Sequence, residues 1–152
     1  MNIPPQIPRT VLSGWDILVV EDEADSLDIA VSVLTYYGAS VHTAGNGQEA
    51  LHKLETLTPR LIISDLSMPV MSGWALIEHL NQDRRLMSIP AIALTAHAMP
   101  GDREKAIAAG FHNHLTKPLT ATTFIRHLLN LLVDIPVLNE ELAWNGDSYA
   151  QR

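Results

Sequence analysis

The chain has 152 residues, 47% hydrophobic and 18% charged, which is one domain's worth of sequence and enough to enclose a core. Seventeen Asp+Glu stand against ten Lys+Arg for a formal net charge of -7, and no Lys/Arg cluster is visible, so neither DNA nor RNA is an expected partner. Cysteine is absent, which excludes disulfides and thiolate metal sites and fits a reducing cytoplasm.

The opening fifteen residues carry three prolines and no sustained apolar run, unlike a secretory signal. They read as an irregular arm (residues 1–15) whose Ile3–Pro8 stretch is expected to be disordered rather than a polyproline docking segment. Asp16–Val20 is a short β-branched run, hence a strand. The next helical stripe is Leu27, Ala30, Val31 and Leu34, closed by Gly38. Residues 39–44 mix apolar and polar side chains and read as a second strand. Asn46 with Glu49 three positions on marks a helix start, and Ala50, Leu51, Leu54 and Leu57 form its buried face.

The alternation continues. Arg60–Ser64 reads as a strand; Ser72–Asp83 as a helix with Leu76, Ile77 and Leu80 inward; Ala91–Thr95 as a strand. Gly101–Gly110 is a weak helix and His112–Leu115 a short strand. Thr120–Asp134 is a helix with Phe124, Leu128, Leu131 and Leu132 on one side. Nowhere does an apolar run approach the roughly eighteen residues of a membrane span, so no membrane partner is expected.

Strand and helix alternate five times, the pattern of an α/β fold with a parallel sheet and five helices, here over residues 16–133. The first, third and fourth strands are nearly all apolar, as strands covered on both faces must be, while the second and fifth are polar-interrupted and suit edges. With right-handed crossovers, the order 2-1-3-4-5 satisfies both facts and gives the flavodoxin-like, doubly wound arrangement.

In such a sheet, function gathers beyond the carboxyl ends of the strands, at the switch point between the first and third. The first strand delivers Glu21 and Asp22 there, the third Asp65, the fourth Thr95, and the fifth runs into Lys117. Two carboxylates about 5 Å apart repel by roughly 3 kcal/mol at an effective dielectric of about 20. One lysine offsets only part of three such repulsions. A hard divalent cation offsets the rest, and an all-oxygen site favours Mg²⁺. Asp65, fixed at the end of a buried strand beside a cation and an ammonium, is then placed as a nucleophile toward phosphorus.

The stretches VVEDE (19–23), SDLSMPVMSG (64–73), LTAHA (94–98) and LTKPL (115–119) resemble the signature positions of the two-component response-regulator receiver domain. The resemblance spans about Asp16 to Val133. It implies that Asp65 is the phosphoacceptor and that Glu21, Asp22, Asp65 and the Ser67 backbone carbonyl hold Mg²⁺. It further implies that Thr95 and Lys117 contact the phosphoryl group and that the Lys117–Pro118 peptide is cis. In the family, movement of the threonine is coupled to an aromatic residue three before the lysine. That position is His114 here, where Tyr or Phe is usual, so the switch pair becomes Thr95 and His114. Ser67 and His97 occupy the positions that tune the acyl-phosphate lifetime.

The resemblance also supplies partners: a histidine kinase or phosphotransfer protein as donor, a downstream protein target, and homodimerisation through the fourth helix, fifth strand and fifth helix. The expected role is a stand-alone response regulator that moves a phosphoryl group onto itself and turns over no external substrate. Two rivals remain: a receiver-fold scaffold that works without phosphate, and a Mg²⁺-dependent aspartyl phosphohydrolase. The second is disfavoured because such enzymes place an Asp two residues after the nucleophile, where this chain has Ser67.

Other features read plainly. His112 and His114 share a strand face, but no third ligand accompanies them, so zinc is not expected. His42, His52, His79 and His127 lack ligand spacing. Met68 and Met71 read as loop packing, Trp74 as a half-buried helix anchor. In the tail (134–152), Asn139–Trp144 reads as one helical turn folding Leu142 and Trp144 back onto the domain.

Overall fold

The computed structural model describes residues 5–96 and 99–144. Five strands, β1 (Asp16–Val20), β2 (Ser40–Ala44), β3 (Leu61–Asp65), β4 (Ala91–Thr95) and β5 (Asn113–Thr116), form one sheet in the order β2-β1-β3-β4-β5. Every neighbouring pair is parallel. β3 and β4 are buried along their whole length and β1 beyond its first residue, whereas β2 and β5 are mixed in burial. Apolar strand composition therefore marks the centre of this sheet and polar interruption its edges, because only central strands are covered on both faces.

Alternation along each central strand divides the core in two. Ile17, Val19, Leu61, Ile63, Ile92 and Leu94 face α1 (Ala24–Tyr36) and α5 (Phe124–Leu132). Leu18, Val20, Ile62, Ala91 and Ala93 face α2 (Gly47–Leu54), α3 (Gly73–Asn81) and α4 (Asp102–Ala109). The flavodoxin-like architecture is thus a three-layer sandwich, with a short sixth helix, α6 (Pro136–Asn139), after α5.

Several elements depart from the sequence reading. β5 lies one residue later than expected, leaving His112 outside the strand. α5 begins at Phe124 rather than Thr120; its N-cap is Thr123, whose side chain makes no capping bond. In α1, Val33 is buried while Val31 is only half-buried, so the inward face is rotated by part of a turn. Likewise Ile125 and Leu129 are buried in α5 and Leu131 is half-buried. α2 stops at Leu54, leaving Leu57 half-buried in the following turn. The tail's helical turn is α6, upstream of the Asn139–Trp144 segment that was expected to form it.

Residues 5–15 contain turns but neither helix nor strand, and they do not hang free. Val11, Leu12 and Trp15 are fully buried, and Ile7 packs on the same cluster. Leu12 N–H donates to the Tyr37 carbonyl and the Arg126 guanidinium to the Pro5 carbonyl, so a polar backbone meets partners as the apolar side chains turn inward. Leu138, Leu142 and Trp144 return from the other terminus into this cluster. Ala143 N–H donates to Val11 O at 3.0 Å, and Trp15 Nε1 donates to Glu141 O at 3.2 Å. Arg60, just before β3, pairs with Glu141 at 3.2 Å and lies over the Trp15 ring. Residues 7–15 and 138–144 together close the amino rim of the sheet. Among the described residues, no helix is long and apolar enough to cross a membrane.

Candidate functional site

At the opposite, carboxyl rim, β1 ends in Glu21, Asp22 and Glu23, β3 in Asp65, β4 in Thr95, and β5 leads to Lys117. Asp22, Glu23, Asp65, Ser67, Thr95 and Lys117 line a cleft of about 210 Å³, with Leu66 and Ala96 completing its wall. Asp65 is only 5% exposed, and that exposed part opens into the cleft. Lys117 carries the ammonium across it. Its Nζ donates to Glu21 Oε1 at 2.6 Å, to Glu23 Oε1 at 2.6 Å and to Asp65 Oδ2 at 3.0 Å. Its backbone is set by a bond from Lys117 N–H to Thr95 O, and the Lys117–Pro118 peptide is cis.

Sequence reasoning brings Glu21, Asp22, Asp65, Thr95 and Lys117 to one rim; in the structure Asp22, Asp65, Thr95 and Lys117 line one cleft, while the buried Glu21 is joined to it by its bond from Lys117. It missed Glu23. The residue is the third acid of a Glu-Asp-Glu run at a strand exit, and at the foot of a helix it reads as ordinary start chemistry. Only the fold brings Lys117, 94 residues away, within reach of it.

The electrostatics follow from burial. Glu21 has no side-chain exposure. Burial, reinforced by the neighbouring Asp65 charge, pushes its carboxyl up to about 7 against the opposing pull of Lys117. Burial would lower the Lys117 pKa, but three carboxylates outweigh it and hold the ammonium above the ordinary lysine range. The lysine is charged; the carboxylates are over-crowded.

One cation does not satisfy this rim. Glu21 Oε2 is buried and has no hydrogen-bond partner. Glu21, Asp22 and Asp65 each offer a carboxylate oxygen within 4.8 Å of the others, the only such grouping of three acidic, His or Cys side chains among the described residues. An orphaned buried carboxylate oxygen beside two more is a donor set suited to a hard divalent cation.

The loop after β3 is held close by a glycine. Gly73 opens α3 with its N–H donating to Leu66 O, and a Cβ built there would lie 2.1 Å from the Asp65 carbonyl oxygen. No side chain fits, so the helix start packs directly on the Asp65 backbone. Ser67 N–H donates to Asp65 Oδ1 at 3.3 Å, orienting that carboxylate from the other side. Val70 in this loop has φ 68 and is 84% exposed, an unusual conformation for a β-branched residue.

His114 is half-buried on β5 with a buried Nδ1 that has no hydrogen-bond partner. His112 does not join it: its Nδ1 accepts from Ala91 N–H, and burial lowers its pKa below the ordinary 6.5. His97 lies outside the described residues. Trp74 is 38% exposed and meets Phe111 edge-on at 6.4 Å.

The family model of the response regulator receiver domain matches residues 17–129. The chain belongs to that family. An uncharacterised 14.6 kDa protein of Leptolyngbya boryana is 43% identical to this receiver over 115 residues, which are 76% of this chain and 88% of the relative. The polar-differentiation response regulator DivK of Brucella anthropi is 31% identical over 118 residues, 78% of this chain and 96% of DivK. A receiver domain of a sensor histidine kinase from Pseudomonas aeruginosa PAO1, solved with magnesium coordinated in its active-site cleft, superposes with a TM-score of 0.69 at 29% identity. That match covers 78% of this chain and 98% of the Pseudomonas receiver domain.

Proposed function

We propose that this receiver takes a phosphoryl group onto Asp65 from a histidine kinase or phosphotransfer protein, and signals through a changed protein-binding surface. The observation that carries the reading is the Lys117 Nζ–Asp65 Oδ2 contact of 3.0 Å, made where Glu21, Asp22 and Asp65 bring carboxylate oxygens within 4.8 Å of one another. An Asp65 carboxylate oxygen attacks phosphorus, the new P–O bond forms as the donor's P–N bond breaks, and the imidazole leaves with the electron pair. Lys117 stabilises the negative charge shared by the transferring oxygens, and Thr95 lines the cleft on the side away from β1.

Glu21, Asp22, Asp65 and the Ser67 backbone carbonyl would hold Mg²⁺, whose positive charge neutralises both the acidic rim and the phosphoryl oxygens. The crystallised Pseudomonas receiver domain with magnesium in its cleft supports this assignment. Thr95 and His114 would couple the site to the surface of α4, β5 and α5. His114 supports this by its half-buried position on β5, where it pairs with Ala93 of β4 two residues before Thr95. Downstream recognition, homodimerisation through that surface and a cytoplasmic setting belong to the same proposal. So does the absence of external turnover: Ser67 stands where a hydrolase of this type needs a second acid.

Intact mass after incubation with acetyl phosphate and Mg²⁺ tests the reading. One added phosphoryl on wild type, none on Asp65→Asn and none on wild type in EDTA is the expected result. An unmodified wild type favours the phosphate-independent scaffold, and steady phosphate release from a phosphomonoester favours the hydrolase.

A further inference from the structure

An ammonium has three N–H donors, and Lys117 has three carboxylate partners. A phosphoryl oxygen arriving at Asp65 therefore finds no free donor on this lysine. One of the three bonds must open, and the surroundings of the acceptors differ. Glu21 is sealed from water, and its other oxygen already lacks a partner, so releasing it strands a buried carboxylate. Asp65 is the accepting group itself. Glu23 is 60% exposed, and water replaces the lysine at its carboxylate with little loss.

We infer that Glu23 is a positioning residue that latches Lys117 in the unphosphorylated protein by occupying the donor a phosphoryl oxygen takes over. The inference rests on the phosphoacceptor reading of Asp65. A second observation supports it. Glu23 is the N-cap of α1, where Ser, Thr, Asp or Asn is favoured because a short side chain reaches the helix amides. Its side chain makes no capping bond and reaches across the cleft to Lys117 instead. The helix start forgoes a cap, and the lysine gains a third anchor. Because Glu23 competes with the phosphoryl group for one donor, removing it favours the phosphorylated state.

Beryllofluoride, a phosphoryl mimic, titrated calorimetrically in Mg²⁺ buffer, reads that competition without turnover, and acetyl phosphate uptake by mass reads it in the reaction. Glu23→Gln keeps the length and loses the charge; Glu23→Asp keeps the charge and is one methylene short of Lys117. Asp25→Asn removes an exposed acid from the first turn of α1 that has no contact with Lys117. Both Glu23 variants are expected to bind beryllofluoride about twofold to fivefold more tightly and to take up phosphoryl faster by a similar factor, the range for one partly exposed ion pair. Asp25→Asn is expected to match wild type.

Unchanged or weaker binding by Glu23→Gln overturns the latch, since a merely structural role weakens the site. Equal tightening by Glu23→Gln and Asp25→Asn, with Glu23→Asp at the wild-type value, also overturns it by reducing the effect to general repulsion. A wild type that binds no beryllofluoride and accepts no phosphoryl removes the phosphoacceptor reading and the latch with it. A phosphorylated wild type with an indifferent Glu23→Gln removes the latch alone.

Discussion

The two rims of the sheet are built on opposite principles. At the amino rim, residues 7–15 and 138–144 bring Val11, Leu12, Trp15, Leu142 and Trp144 into one buried apolar cluster, which also encloses the unpartnered Trp144 Nε1. At the carboxyl rim, burial falls on charge: Glu21 and Asp65 are 1% and 5% exposed, one buried carboxylate oxygen is orphaned, and Val70 holds a strained backbone in the adjoining loop. One rim stabilises the fold and the other draws on that stability, the pattern expected where a site needs groups that folding alone would not bring together.

The sharpest way to break this contrast is to remove a side chain from each rim and compare the signs. Trp144→Ala opens the amino rim and is expected to cost about 3–5 kcal/mol in urea unfolding, because a large buried ring leaves a cavity that surrounding residues fill only partly. A loss under about 1 kcal/mol would mean that the tail only rests on the domain.

Glu21→Gln should move stability the other way. The folded pKa of Glu21, about 7, lies above its ordinary 4.5, so the folded chain holds that proton more tightly than the unfolded one. The associated stability is fully present below about pH 4.5 and is lost as pH rises through 7. In EDTA the variant is therefore expected to exceed wild type by about 2–3 kcal/mol at pH 8 and to match it near pH 4. Adding Mg²⁺ should raise the wild-type unfolding midpoint and leave the variant behind. A variant less stable than wild type at pH 8 without metal would reverse the account of this rim.

A smaller effect sharpens the same point. Val70→Asn loses almost no burial and places at φ 68 a residue that tolerates the left-handed region, so a gain of about 1 kcal/mol is expected from the same unfolding curves. Smallest is Glu141→Gln at the amino rim. Its bond to Arg60 is about one-third exposed, so the loss should be about 0.5 kcal/mol and should shrink in high salt.

What the amino-acid order determined by itself was local and periodic. Apolar runs ending in Asp65 and Thr95, polar edges at β2 and β5, and the spacing of the helical stripes carried the sheet order, because central strands must be apolar on both faces and right-handed crossovers leave few alternatives. The residues of the cleft were legible for the same reason: a strand exit is a fixed place in a parallel sheet, so Glu21, Asp22, Asp65, Thr95 and Lys117 could be assigned to one rim from sequence position.

Distance and burial belonged to the tertiary structure. Glu23 carries no signal of its own in the sequence; only in the fold does Lys117, 94 residues on, come within 2.6 Å of it. The segment before Trp15 is Pro-broken and without periodicity, and it reads as an arm. It is held because Leu142, Ala143 and Trp144 meet it from the other terminus. Periodicity reports which face of one element is apolar, but not which remote segment will cover it. That choice is made by close packing among residues far apart in sequence, and so it appears only in the folded chain.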